Sequence, residues 1–111
     1  MKLSALLPAA LIAAAPTLAC LETNGSIDLA GHVERITAID NGVLVCDSAW
    51  GHRIDQDGHI SLTCKPGFVY AVTKDGTMGW YKNPTNAYSF KQVVGGGHQT
   101  LYWSEKRYGC K

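Results

Sequence analysis

The chain has 111 residues, ten of them Lys or Arg and nine Asp or Glu, with 46% apolar content and four cysteines. That length supports one domain, and a formal charge of +1 leaves no excess of cations for a phosphate backbone. Neither a nucleic acid nor an anionic lipid surface is therefore expected as a partner, since the one cluster, Lys106-Arg107 with Lys111, reads as a solvated chain end.

Residues 1–19 form the first element. Lys2 gives a short positive start, residues 3–15 are apolar apart from Ser4 and Pro8, and Pro16 ends the run. Thr17-Leu18-Ala19 then supplies the small residues of a cleavage site, so the segment reads as a secretory signal peptide. It is short for a span of about 30 Å, and both prolines oppose an anchoring helix. A lipoprotein anchor on Cys20 is the alternative. It is disfavoured because Thr17 stands where a branched aliphatic is wanted and because acylation would leave an odd number of cysteines.

Cleavage after Ala19 leaves residues 20–111 as a single disulfide-stabilised domain, and Lys2 is the only charge lost, so the mature chain is formally neutral. Cys20, Cys46, Cys64 and Cys110 allow three pairings. Cys20 and Cys110 bracket the domain, which favours Cys20–Cys110 with Cys46–Cys64; a bridge closing the whole domain contributes about 4–5 kcal/mol in the chain-entropy view. No two cysteines have the close spacing of a zinc ribbon. Asn24-Gly25-Ser26 is a glycosylation sequon, whereas Asn83-Pro84-Thr85 is blocked by its proline.

Asn41-Gly42, Asp57-Gly58 and Asp75-Gly76 follow, each between β-branched or alternating apolar residues, and each is expected to close a type I′ hairpin. Val43-Leu44-Val45-Cys46 is apolar on both faces, as in a central strand. Ile60, Leu62 and Cys64, then Phe68, Tyr70 and Val72, alternate with the residues between them. Gly95-Gly96-Gly97 is expected to cap a last hairpin between residues 89–94 and 99–103. No segment of the mature chain shows helical periodicity over three turns. The expected fold is all-β: an antiparallel sandwich or small barrel of seven to nine short strands, built from consecutive hairpins and stapled by two disulfides.

The chemistry-bearing residues form no recognised catalytic or metal motif. His32, His52, His59 and His98, with Glu34, Glu105, Arg35 and Arg53, have the residue types of small secreted ribonucleases, but not their local pattern. Asp55-Gln56-Asp57-Gly58 resembles part of a calcium loop; in EF-hand register, however, Arg53 and Cys64 replace the two key carboxylates. The triple glycine lacks the lysine-serine and the helix of a phosphate loop, and Ser48 and Ser104 lie in no nucleophile elbow. No cofactor is implied.

The aromatic residues are more informative. Trp80-Tyr81 and Tyr102-Trp103 are consecutive pairs, and neighbours on a strand face opposite ways, so one member of each should point outward. With Trp50 they form the candidate binding set: Trp50, Trp80, Tyr81, Tyr102 and Trp103.

A Leu- and Ala-rich signal ending at Ala19, Cys20 opening the mature chain, Cys110 one residue from its end, and a hairpin-dense region between them resemble the small secreted cysteine-rich proteins of filamentous fungi. Many of these are effectors, and the two-disulfide β-sandwich effectors of cereal pathogens are the structural relative suggested. The resemblance implies an extracellular, monomeric, non-enzymatic virulence protein that binds a host protein, a cell-surface glycan or a microbial target. It carries over no site residues. A ribonuclease-like hydrolase and a cell-wall carbohydrate-binding or antimicrobial module are the alternatives.

Overall fold

The computed structural model describes residues 20–96 and 99–108. These residues contain nine strands and no helix: β1 (Leu21–Asp28), β2 (Val33–Asp40), β3 (Val43–Ile54), β4 (Ile60–Cys64), β5 (Val69–Val72), β6 (Met78–Lys82), β7 (Ala87–Lys91), β8 (Gly95–Gly96) and β9 (Thr100–Arg107). One antiparallel sheet holds them all in the order β7-β6-β5-β4-β3-β2-β1-β9-β8. Seven consecutive strands thus form a meander, and β9 returns to pair with β1. A single curled sheet takes the place of the two stacked sheets of a sandwich.

The curl brings β7 against β9 through side chains. Arg107 donates to the Lys91 carbonyl oxygen at 3.1 Å, and the Val93 amide donates to Glu105 Oε2 at 2.7 Å. Tyr88 and Tyr108 stack with centroids 4.3 Å apart, and the Arg107 guanidinium lies 4.3 Å over the Phe90 ring. This seam covers a sheet end that would otherwise present an unpaired edge.

Alternation along each strand produces the core. Leu21, Thr23, Gly25 and Ile27 of β1 face inward, with Ile36, Val45, Ile60, Tyr70, Val72, Tyr81 and Trp103 from the other strands. Burial of each large apolar side chain here contributes about 1.5–3 kcal/mol. Two polar side chains in this interior are tied together: the Tyr70 hydroxyl donates to Gln92 Oε1 at 2.6 Å, and Gln92 Nε2 donates to the Gly76 carbonyl oxygen at 2.6 Å. Burial pushes the Tyr70 phenol well above its ordinary pKa.

The three hairpin signals all fall at turns, but only one has the expected type. Asn41 (φ 50°) and Gly42 (φ 83°) are both left-handed, as type I′ requires. Among the described residues the only non-glycine positive φ values are at Asn41 and Tyr108, so Asp57 and Asp75 are not left-handed. The Gly58 amide bonds to the Asp55 carbonyl oxygen at 3.0 Å and that of Gly76 to Thr73 at 2.9 Å, giving ordinary turns that end on a left-handed glycine. A carboxylate locks each one: Asp55 Oδ1 accepts the amides of Asp57 and His59, and Asp75 Oδ1 accepts the amide and hydroxyl of Thr77.

The last hairpin also departs from expectation. Residues 89–94 do not form one strand, because β7 ends at Lys91 and pairs only with β6. Gly95 and Gly96 are not the tip: they pair with Tyr102 and Leu101 of β9. Gly97 and His98 lie outside the described residues, as do residues 1–19 and 109–111.

Cys46 and Cys64 are opposite each other on β3 and β4 and form a disulfide. One of the two expected bridges is thereby present. The Cys20–Cys110 pairing involves a residue outside the described range; among the described residues no cysteine is free.

Candidate functional site

The sheet is split between β2 and β3. Their ladder runs from Asp40↔Val43 to Thr37↔Asp47 and stops there, leaving residues 33–36 and 48–54 without backbone pairing to each other. Two irregularities cause the split. On β2, Glu34 is an extra residue in the pairing with β1, which passes from Ser26↔Arg35 to Ile27↔Val33. On β3 the ladder to β4 jumps from Asp47↔Thr63 to His52↔Leu62, so residues 48–51 bulge out. Bulges bend a strand and increase its local twist, and two of them here turn neighbouring strands apart.

Polar side chains hold the wide bulge in shape. Arg35 donates to Asp47 through Nε at 2.8 Å and Nη2 at 2.6 Å, and the Ala49 amide donates to Asp47 Oδ1 at 2.8 Å. The Arg35 guanidinium is the main reason the buried Asp47 carboxyl stays below the usual carboxylate range, with the Ala49 amide adding to it against the opposing effect of burial. Ser48 Oγ replaces a missing ladder partner by accepting the Ile36 amide at 2.9 Å. Gly51 closes the bulge at φ 135°, and a β-carbon there would stand 2.7 Å from Thr63 Oγ1. Trp50 projects from this frame, 46% exposed.

Beside the bulge, where the strands diverge, lies an open groove of about 430 Å³ lined by Gly31, His32, Val33, His52, Arg53 and Ile54. His32 is tethered to Asp28, whose two carboxylate oxygens accept its backbone amide at 2.8 Å and contact its Nδ1 at 3.1 Å. The backbone bond is the largest cause of the lowered Asp28 pKa. The groove thus carries two imidazoles and a guanidinium on strand termini that are open on their facing sides.

A second concavity, about 450 Å³, lies at the opposite end among the β2–β3, β4–β5 and β6–β7 turns, with Val43, Val45, Phe68 and Pro84 around Asp40 and Asn83. Asp40 Oδ2 accepts the Tyr81 hydroxyl at 2.5 Å and Asn83 Nδ2 at 3.3 Å. Asp40 is thereby committed to bracing the turns. A third group, Asp55, Asp57 and His59, has one ligand-type atom from each within 4.8 Å of the others, but Asp55 Oδ1 is engaged by the loop's own amides.

The structure divides the aromatic set. Tyr81 (1% exposed) and Trp103 (3%) are core residues, while Tyr102 (53%) and Trp50 lie outward and Trp80 is half-buried, stacked on His59 with centroids 4.3 Å apart. Each consecutive pair therefore splits in the manner that strand alternation requires. No ring contact joins Trp50, Trp80 and Tyr102 among the described residues. Asn24 lies in the middle of β1 between two paired strands, half-buried, and accepts a hydrogen bond from Ser104 at 2.7 Å. Of the ribonuclease-type residues, His32, His52 and Arg53 share the groove. Glu105 lies on the seam, Arg35 is spent on Asp47, and Glu34 accepts from Ser26 at 2.5 Å.

The split is a feature that the strand and turn patterns do not reveal. Its signal in the sequence is Asp47-Ser48 followed by a Trp-Gly step, which interrupts an apolar strand with polar residues and a glycine. No family model matches the chain, and neither a curated protein nor a solved structure matches it.

Proposed function

We propose that this chain is a secreted, effector-like binding protein that acts outside the producing cell, with the bulge at residues 48–51 and the adjoining groove as its contact surface. The observation that carries the reading is Trp50. It is a large aromatic side chain held outward by an immobilised bulge, and exposed tryptophans on rigid frames dominate the energetics of interfaces. The signal-like residues 1–19 and the Cys46–Cys64 bridge support export to an oxidising compartment. Formal neutrality of residues 20–111 favours a protein or glycan target over a polyanion.

The test is binding of labelled protein (residues 20–111) to intact plant tissue and to insoluble glycans such as chitin. Trp50→Ala should weaken retention about tenfold or more, while Tyr102→Ala on the far strand should leave it near that of the unaltered protein. Equal retention of the Trp50→Ala variant would remove this surface from the reading.

A second reading, hydrolysis of RNA, is favoured by one arrangement: Asp28 fixes His32 through Nδ1, leaving the other ring nitrogen for proton transfer in a groove that also holds His52 and Arg53. Incubation with total RNA between about pH 5 and 8 decides it. Cleavage abolished by both His32→Ala and His52→Ala supports the hydrolase; intact RNA throughout eliminates it.

A further inference from the structure

We propose that the groove between β2 and β3 receives an extended, acidic peptide segment of the target, which adds to the sheet as a strand along the open edge of residues 33–36 or 52–54. The inference rests on the binding reading above and names the chemistry of its partner. Within the interior of a sheet, consecutive strands ordinarily satisfy each other's amides and carbonyls. Here β2 is paired with β1 on one side and the end of β3 with β4 on the other, while their facing sides are open from Thr37 and Asp47 outward. Two side chains substitute for strand partners, Ser48 at the Ile36 amide and Asp47 at the Ala49 amide, and nothing comparable serves residues 33–35 or 52–54 among the described residues. An extended chain recognised by its main chain is the ligand such an edge selects, with side-chain pockets supplying specificity.

Charge selects among such chains. His32, His52 and Arg53 line the groove, and most nearby carboxylates are already engaged: Asp28 by His32, Glu34 by Ser26 and Asp47 by Arg35. Asp55, which also feels the Arg53 charge, is engaged by the amides of Asp57 and His59, while Asp57 lies on the far side of Arg53 from the groove lining. An acidic side chain on the added strand would meet Arg53 and the imidazoles, and Val33 and Ile54 offer apolar contact for the alternate residues.

The probe is a blocked pentapeptide alternating glutamate with valine, titrated into isotopically labelled protein (residues 20–111) and followed by amide NMR. Shifts should concentrate in residues 31–36 and 48–54, and binding should weaken with added salt. Arg53→Gln, an exposed change, should cost about fivefold in affinity. The same peptide with alternate amides N-methylated should fail to bind, and a lysine–valine peptide should bind at least tenfold more weakly. Equal binding of the N-methylated peptide, shifts that map elsewhere, or a short RNA oligonucleotide occupying the groove in place of the peptide would each overturn the inference. Target retention that depends on Trp50 but is not competed by the peptide would refute the strand-addition inference while leaving the proposed function standing.

Discussion

Trp103 and Gly76 touch across the inside of the roll: a β-carbon built on Gly76 would lie 2.5 Å from the indole Cζ3. The other side of the same ring covers Gly25, its cross-strand partner on β1, where a β-carbon would fall inside the indole. One tryptophan therefore fills the space of two missing side chains and joins β9 and β1 to the β5–β6 turn. Gly25→Ala should destabilise by about 2–4 kcal/mol, because a buried rigid ring has nowhere to move. Gly76→Ala should cost at least as much, since its φ of 77° adds backbone strain to the clash. Trp103→Ala should cost about 3–5 kcal/mol. Urea unfolding followed by circular dichroism measures all three, with the exposed Val93→Ala within about 0.5 kcal/mol of the unaltered protein as the comparison.

The Arg35–Asp47 pair sets the acid limit of the bulge. Asp47 has its pKa lowered in the folded state, so its contribution to stability is complete above the ordinary carboxylate range and disappears as pH falls through the lowered value. Arg35→Gln removes the main cause of that shift and leaves the nearly buried carboxylate with the Ala49 amide. Its expected cost is about 1–3 kcal/mol at pH 7, and the acid-unfolding midpoint should move to higher pH. Unfolding curves at a series of pH values check both, and an unshifted acid arm would show that the pair does not govern it.

Tyr70 and Tyr81 act at the alkaline limit. Burial raises both phenols, and for Tyr81 the Asp40 carboxylate that accepts its hydroxyl raises it further. A phenol with a raised folded pKa stabilises fully below the unfolded value and loses that contribution as pH climbs past about 10, at about 1.4 kcal/mol per pH unit for each tyrosine. Stability should therefore fall steeply above pH 10, and tyrosinate absorbance from these two residues should develop only with unfolding. Tyr81→Phe should make the alkaline fall shallower while exacting about 1 kcal/mol at pH 7 for the lost bond to Asp40.

Much of this architecture is local in origin and is therefore legible in the amino-acid sequence. The alternation of Ile60, Leu62 and Cys64 and the three Asx-Gly steps specify strands and turns through residues close in sequence, and the Trp80-Tyr81 and Tyr102-Trp103 pairs follow from pleating alone. The turn types are less legible. Whether an aspartate takes the left-handed region depends on loop length and on which amides its carboxylate can reach, and Asp55 and Asp75 reach amides that favour longer loops. The curl is hidden because its seam, from Phe90 and Tyr88 to Arg107 and Tyr108, joins residues with no periodic relationship. The groove is hidden for a similar reason: it exists where pairing stops, and it brings His32 and His52 together only because two bulges on different strands face each other.

The Cys46–Cys64 bridge stands one residue before the bulge and fixes the β3–β4 register from which the bulge departs. With a sequence separation of 18 between its ends, it should contribute about 3 kcal/mol by constraining the unfolded chain. Replacing both cysteines by alanine removes that constraint without leaving a lone thiol, and the loss should appear as a lower urea midpoint with an unchanged core. A second effect should be local. Between Asp47↔Thr63 and His52↔Leu62 the strands are joined at no other pair, so without the bridge residues 48–51 can shift register more freely. Hydrogen exchange in residues 47–54 should then accelerate more than in β1, which is paired on both sides. Uniform acceleration across both regions would mean that the bridge acts only on global stability, and that Asp47 and Ser48 alone hold Trp50 in place.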